Sequence, residues 1–320
     1  MSKYSMAIGS SVFLVLVCAA SVLASPCHAD TIILSRTIPM PFTLVRGNYA
    51  EWTGGNLIFI EDRWSESPTF TTFDRDGTEV SKFSFTIPGA GLINIYDNSA
   101  ALGKDGALAI AGTAYSNDSR GAAFVAWVSP DRHHQTVVRP TDFFPESVTI
   151  ASDGTIWVAG YNKNIQPRER LDDSDERILR YDRNGNLLGS ISPLSNAPDS
   201  TVVGRPPSIL VSFGEGVGWY YPRAQAYIEF SLDGSLANRF KGPQHYIGDV
   251  ITMAACPNGN VFAATKNGKD WGIFSFNRER GDWTFIPRQE KWGLLLGCDG
   301  TRLVSVTDFS KISWLQPAAN

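Results

Sequence analysis

Short apolar runs alternate along the chain with tight polar turns, and the same arrangement recurs several times. In the clearest copies an apolar run, an Asp-Gly or Asn-Gly pair and a second apolar run follow one another, with turn glycines at Gly106, Gly154, Gly259 and Gly300. Such pairs favour tight hairpin turns because they accept a positive φ. The pattern therefore predicts a succession of β-hairpins, and helical periodicity is nearly absent.

A second, offset series of turns follows the first, for example at 73–77, 181–185 and 230–234. Each unit thus holds two hairpin turns and about four strands, and it recurs at roughly 40 to 50 residues, which is typical of a β-propeller blade. Turns from Gly55 to Gly300 predict an all-β, six-bladed propeller, with seven blades as the alternative. The last blade lacks an outer strand, which segment 31–36 can supply and so close the ring.

One blade is similar to a known repeat. Its segments 145–148, 153–158 and 177–185 resemble an NHL-type repeat, and the match weakens in the other blades. The resemblance implies an NHL-like six-bladed propeller. It implies little about activity, because one fold supports many functions.

The N-terminal segment 1–29 has the pattern of a secretory signal peptide. Lys3 precedes an apolar run at 12–20, and Cys27-His28-Ala29 forms a small-x-small cleavage site, with a cut after Ala24 as the alternative. We expect this leader to be removed, which leaves 30–320 as a single exported domain, periplasmic or extracellular and monomeric. No later stretch is long and apolar enough to span a membrane.

Composition and charge exclude several classes of protein. The 320 residues include 28 Lys+Arg and 32 Asp+Glu, for a net charge of −4, without a long run of either sign. A nucleic-acid-binding surface is therefore not expected. Common hydrolase, metalloprotease and nucleotide-binding motifs are also missing from the sequence.

Two cysteines, Cys256 and Cys298, remain after the leader is removed. They hold nearly equivalent positions beside the turns of adjacent blades, in a compartment that permits disulfides. The sequence leaves two alternatives open, a Cys256–Cys298 disulfide or two buried free thiols.

Polar residues recur about eight to ten positions before the turn glycines, where each inner strand begins, and Glu51 is their counterpart in the first blade at a shorter spacing. We predict that they surround the mouth of the central channel, on the face opposite the Asx-Gly turns, and bind a ligand there. The predicted set is Glu51, Asn98, Glu146, Arg205, Asp249 and Trp292, with Lys291 as an alternative in the last blade.

Oxygen ligands among these residues indicate a second possibility. Glu51, Asn98, Glu146 and Asp249 together can hold a hard cation such as Ca²⁺. Propeller lactonases resemble this arrangement, and the resemblance implies a metal-dependent lactonase or esterase. Alternatively, Arg205 and Lys291 pair with the carboxylates, or these polar residues are solvated loop positions.

The remaining candidates are weaker. Segment 162–176 is a long, charged loop, either a lid or partner-binding loop or a solvated insertion. His133-His134 is most simply a surface turn. Aromatic residues within the strand patterns, Trp127, Trp157, Trp219, Trp271 and Trp314, are expected in the core. The leading hypothesis is a binding protein for a protein, glycan or small molecule, and a metal-dependent hydrolase is the alternative.

Overall fold

A computed structural model describes the chain over residues 32–43, 49–117, 120–162, 176–192, 208–222, 224–243, 249–267, 270–286, 292–307 and 310–317. All regular structure in these ranges is β-strand, arranged in six antiparallel sheets. Within the same ranges there is no helix of the length and hydropathy needed to cross a membrane.

Each sheet is a blade whose first strand in the sequence is innermost, and the N-terminal strand joins the last blade. Blade 1 comprises β2 (Tyr49–Thr53), β3 (Asn56–Glu61), β5 (Thr69–Phe73) and β6 (Glu79–Ser84). Blade 2 comprises β7 (Leu92–Leu102), β8 (Leu108–Tyr115), β9 (Gly121–Val128) and β10 (Gln135–Val138), with β4 (Trp64–Ser65) added beside β7. Blade 3 comprises β11 (Phe143–Ile150), β12 (Ile156–Asn162), β13 (Glu176–Tyr181) and β14 (Leu187–Ile191).

Blade 4 comprises β15 (Ile209–Phe213), β16 (Gly216–Tyr221), β17 (Ala226–Ser231) and β18 (Leu236–Lys241). Blade 5 comprises β19 (Asp249–Ala255), β20 (Val261–Asn267), β21 (Asp270–Asn277) and β22 (Asp282–Ile286). Blade 6 comprises β23 (Trp292–Asp299), β24 (Arg302–Thr307), β25 (Lys311–Pro317) and β1 (Ile32–Pro39).

The six-bladed propeller predicted from the turns is confirmed, and the seven-bladed alternative is wrong. The predicted closure is also confirmed, because β1 pairs antiparallel with β25 as the outer strand of blade 6. Neighbouring inner strands contact one another around the ring, from β2 through β7, β11, β15 and β19 to β23 and back to β2. The inner strands therefore enclose a central channel.

Large apolar side chains fill the space between neighbouring blades. Trp157 and Trp219 lie together between blades 3 and 4, and Trp314 lies between blades 6 and 1, all three fully buried. Their predicted core positions are confirmed. Trp52 is also buried and meets Trp314 edge to face, with ring centroids 5.5 Å apart. Such large buried rings supply much of the apolar area that holds adjacent blades together.

The Asx-Gly turns lie together on one face, which we call the turn face. Gly106 and Gly154 have φ values of 85° and 83°, in the left-handed region that favours glycine. In the second of these turns the Asp153 carboxylate accepts the Thr155 N–H at 2.9 Å. The turns form in each blade from a few adjacent residues, which explains why they are readable from the sequence.

Arginines of the second turn series connect neighbouring blades on the turn face. Arg183 of blade 3 pairs with Asp105 of blade 2 at 2.7 Å. Arg278 of blade 5 donates to the Glu229 carboxylate of blade 4 through Nε at 3.0 Å and Nη2 at 2.8 Å. These contacts hold blades together at their turn ends, outside the apolar layers.

Two further contacts on this face involve blade 6. Arg75 of blade 1 donates to the carboxylate of Asp299 at 3.2 Å, and the Trp314 indole N–H donates to the other oxygen at 3.0 Å. A disulfide joins Cys256 and Cys298, whose Cα atoms are 5.0 Å apart, and it links blades 5 and 6. Blade 6 is thus attached to both neighbours through its first turn.

Several inner strands are irregular towards their N-terminal ends. In β7, residues 96–99 interrupt the pairing with β8, and the pairing of β11 with β12 shifts between Pro145 and Ser147. The pairing of β19 and of β23 shifts as well, whereas β2 and β15 pair without a shift. Such β-bulges redirect side chains and bend the strand. They lie near the predicted site residues.

Candidate functional site

A cavity of about 390 Å³ lies on the channel axis at the turn face. The inner strands or first turns of all six blades contribute to its lining. Apolar side chains of Ile150, Leu210 and Met253 belong to this lining, together with the carboxyl-bearing Glu51. A volume in this range suits a small organic molecule.

Charged groups lie where the cavity meets the turns. Lys104, Asp105, Arg183 and Asp299 line this end. Arg183 forms an ion pair with Asp105. The carboxylate of Asp299 accepts hydrogen bonds from Arg75 and Trp314. The rim of the cavity is therefore polar, and most of its charged side chains form ion pairs or hydrogen bonds. The wall contains both apolar and polar residues.

Glu51 is positioned by the alternation of strand β2. Ala50 and Trp52 are buried in the layer between blades 1 and 6, so Tyr49, Glu51 and Thr53 occupy the opposite, half-buried side. Tyr49 Oη lies 3.2 Å from Glu51 Oε2 and donates to it. Glu51 thus lines the cavity, and the phenol of Tyr49 lies beside its carboxyl group.

The surroundings of Glu51 change its acidity. Burial raises the pKa of its carboxyl group to about 8, and the Tyr49 hydrogen bond lowers it by a smaller amount. Burial raises the pKa of the Tyr49 hydroxyl well above its usual range, and the neighbouring Glu51 charge adds to this. At neutral pH the pair is largely neutral and can donate or accept a hydrogen bond.

Asn98 meets the same tyrosine from blade 2. Its Oδ1 lies 3.3 Å from Tyr49 Oη, and its backbone N–H donates to that oxygen at 3.1 Å. Asn98 sits in the bulge of β7 with φ of 59°, a conformation that asparagine tolerates better than most residues. The structure therefore brings the predicted residues Glu51 and Asn98 together through Tyr49.

Glu146 occupies the wall between inner strands. Its side chain is 8% exposed, and its Oε2 accepts hydrogen bonds from the Ser208 N–H at 3.3 Å and hydroxyl at 3.1 Å. Its backbone carbonyl accepts the Ser99 hydroxyl at 3.1 Å. Glu146 thus links blades 2, 3 and 4, where adjacent inner strands do not share a backbone ladder.

The other predicted site residues lie, entirely or by their side chains, outside the described part of the chain. Arg205 and Lys291 lie outside the described residues, as do the side chains of Asp249 and Trp292. Among the residues that are described, no group of three or more His, Cys, Asp or Glu side chains is arranged to hold a metal ion. The four-residue metal site, with Asp249 as one ligand, stays a prediction.

The long charged loop and the histidine pair, the two weaker candidates, differ in whether the structure describes them. Most of segment 162–176, its residues 163–175, lies outside the described part of the chain. His133 and His134 are exposed in the turn before β10, where the His133 N–H donates to Asp131 at 3.0 Å.

Sequence reasoning missed Tyr49, Ser208 and the cavity at the turn face. Tyr49 is two positions from Glu51 in a strand of alternating burial, so the sequence could have predicted that both side chains lie on the same side of the strand. The partnership of Ser208 with Glu146 joins residues 62 positions apart and leaves no local signal. The cavity requires the turns of all six blades to converge, which no single repeat displays.

Comparisons with known proteins support the fold. No protein-family model matches the chain, and no curated protein matches its sequence. A solved structure from Bacteroides fragilis, provisionally described as an exported protein, has a TM-score of 0.57 at 12% identity, covering 90% of this chain and 96% of that one. A protein of unknown function from Bacteroides thetaiotaomicron has a TM-score of 0.51 at 10% identity, covering 90% of this chain and 76% of that one.

A streptogramin B lyase is also similar in structure. Its TM-score is 0.47 at 13% identity, with 88% of this chain and 97% of the lyase covered. The likeness to the two Bacteroides structures, at 12% and 10% identity, shows a propeller-type fold alone, because unrelated activities share this fold. The NHL-like resemblance stays an expectation at the family level.

Proposed function

We propose that this protein is a binding propeller that takes a small organic molecule into its axial cavity. The observation that carries the proposal is the cavity of about 390 Å³, formed jointly by the six blades and lined in part by Glu51. Ligand sites are typically concave, partly apolar and equipped with few polar groups. Both Ile150 and Leu210 supply apolar wall, and Glu51 supplies one of the polar groups.

The proposal moves the ligand from the predicted mouth to the turn end of the channel. Asn98 and Glu146 are 7% and 8% exposed and bind neighbouring residues of the wall, so they support the site rather than offer free ligands. Among the predicted residues whose side chains are described, Glu51 also lines the cavity.

Export forms the second part of the proposal. It rests on the leader-like segment 1–29 and agrees with the disulfide between Cys256 and Cys298, since disulfides persist in oxidising compartments. The similar structure from Bacteroides fragilis, provisionally described as exported, is consistent with this proposal. Intact mass of the protein from a periplasmic or culture fraction tests it, and a retained leader in fully soluble cytoplasmic protein would contradict it.

Binding in the cavity is tested with a variant in which a larger side chain fills part of the cavity. Ser212 lines the cavity, whereas Ser190 is exposed on an outer strand of blade 3, so Ser212→Trp and Ser190→Trp form a matched pair. A library of small metabolites is screened by thermal shift against both variants and the unmodified protein. We expect stabilising compounds to lose their effect in Ser212→Trp and keep it in Ser190→Trp. Hits that Ser212→Trp leaves unchanged, or a library without hits, would count against the proposal.

A further inference from the structure

Glu51 lines the ligand-sized cavity, and its carboxyl group has one polar partner in the described structure. That partner is the neutral hydroxyl of Tyr49 at 3.2 Å. Within the described residues, no lysine or arginine forms an ion pair with Glu51, in contrast to Glu229, which Arg278 contacts at 2.8 Å. A charge in such a place is costly unless a partner of opposite charge joins it.

We infer that Glu51 anchors the ammonium group of a small organic amine bound in the axial cavity. The inference rests on the proposed function, because it requires a ligand in that cavity. An ammonium ion has three donors and no acceptor, so it complements the oxygens of a carboxylate. The apolar wall at Ile150, Leu210 and Met253 then suits a hydrocarbon or aromatic body attached to the amine.

A metal ion fits the same place less well. Calcium takes six to eight oxygen ligands, whereas Glu51 is joined by a phenol that already lies 3.3 Å from Asn98 Oδ1. The Glu146 carboxylate is engaged by Ser208. A single carboxylate with an adjacent hydroxyl is enough for an ammonium ion.

The amine is oriented by the geometry of the cavity. Glu51 lies on β2, whereas Lys104 lies at the rim in the first turn of blade 2. A cationic group is repelled by the Lys104 ammonium and attracted by the Glu51 carboxylate. The ligand therefore places its ammonium at Glu51, away from Lys104, and its apolar part along Ile150, Leu210 and Met253.

The experiment compares a charged ligand with a neutral one of the same shape. Binding of phenethylamine and of 2-phenylethanol is measured by calorimetry at about pH 8.5, where alkylammonium groups are still charged. The variants are Glu51→Gln and, as the control, Glu79→Gln on the exposed side of outer strand β6. We expect phenethylamine to bind and Glu51→Gln to weaken it at least about tenfold, with Glu79→Gln unchanged and 2-phenylethanol much weaker.

Three results would overturn the inference. They are equal binding of the amine by Glu51→Gln, equal binding of the alcohol and the amine, and a failure of phenethylamine to bind. Stabilisation by calcium chloride that disappears in Glu51→Gln would assign the carboxylate to a metal instead. If neutral compounds bind in a way that Ser212→Trp abolishes, the proposed function stands while the amine inference fails. If no compound depends on Ser212, the proposed function itself fails.

Discussion

The two ends of the central channel are built on different principles. At the turn face, each blade repeats a hairpin turn closed by glycines such as Gly106 and Gly154, with φ near 84° in both. At the opposite end, β7 and β11 depart from regular pairing, and side chains such as Asn98 and Glu146 connect neighbouring strands. The turn end is a local, repeated structure, whereas the other end depends on contacts between blades.

This difference lies in how each end satisfies its polar groups. A repeated turn closes on its own residues, so it presents a regular rim around the cavity. The irregular end uses buried polar groups whose partners come from another blade, and such groups must all be satisfied to avoid a penalty. Glu51 lies between the two ends, in the wall yet lining the cavity.

The largest expected effect concerns the disulfide at the turn end. Replacing both Cys256 and Cys298 by serine removes a cross-link that spans 42 positions of sequence. Loop-closure entropy predicts a loss of about 4 kcal/mol in the free energy of unfolding. Urea unfolding of the double variant and of the oxidised protein measures this loss. Equal midpoints would show that the turn end does not depend on the cross-link.

Arginines at the turn end differ in the burial of their partners. Arg278→Ala leaves Glu229, 3% exposed, without its ion pair, so we expect a loss of about 3 kcal/mol. Arg183→Ala is the matched control, because Arg183 and its partner Asp105 are both more than one-third exposed. Its loss is expected within about 1 kcal/mol. Equal losses, measured by urea unfolding, would mean that partner burial does not distinguish the two positions.

Glu51 makes stability depend on pH. Its pKa is raised from 4.5 to about 8 in the folded protein, so the folded state retains a proton that the unfolded state loses as pH rises above 4.5. Stability contributed by the protonated group is complete below pH 4.5 and is lost as pH increases through about 8. We expect the loss to be on the order of 2 kcal/mol after allowing for partial exposure.

The Glu51→Gln variant isolates this contribution. Its unfolding free energy should fall less than that of the unmodified protein between pH 5 and about pH 9, because glutamine does not ionise. Urea titrations of both proteins at several pH values measure the difference, and Glu79→Gln provides an exposed control. Parallel pH profiles for all three proteins would contradict the raised pKa.

The smallest expected effect concerns the bulge of β7. Asn98 has φ of 59°, so Asn98→Ala places a less tolerant residue in the left-handed region and also removes the Oδ1 near Tyr49. We expect a loss of about 1 kcal/mol. Asn98→Gly removes the same side chain without the conformational strain, and comparison of the two variants by thermal unfolding separates these causes. A larger loss for glycine would contradict a role for backbone strain.

Much of the fold was predictable because its signals are local. The pair Asp153-Gly154 indicates a turn from two residues, and the apolar runs beside it indicate the strands. Trp157 and Trp219 lie inside such runs, so their burial followed from the pattern. Closure by β1 was predictable because the last blade visibly lacked a strand.

The candidate site was only partly predictable. The spacing rule selected Asn98 and Glu146, with Glu51 as a counterpart at a shorter spacing, and it placed all three around one mouth. The structure places them differently: Glu51 lines the cavity, whereas Asn98 and Glu146, beside the bulges of β7 and β11, bond to residues of the neighbouring blades. A bulge depends on how two strands pair, and its position is not encoded by spacing from a turn.

The amino-acid sequence by itself determined the repeating four-stranded unit, the number of blades and the strand that closes the ring, since each depends on hydrophobic runs and turn residues close together in the chain. The tertiary structure decided that Glu51 lines a cavity at the turn face and that Glu146 is bound by Ser208 in the wall. It also decided that Tyr49 connects Glu51 with Asn98. The physical reason is that a channel, and the desolvation that raises the pKa of Glu51, exist only when residues from separate blades surround the same space.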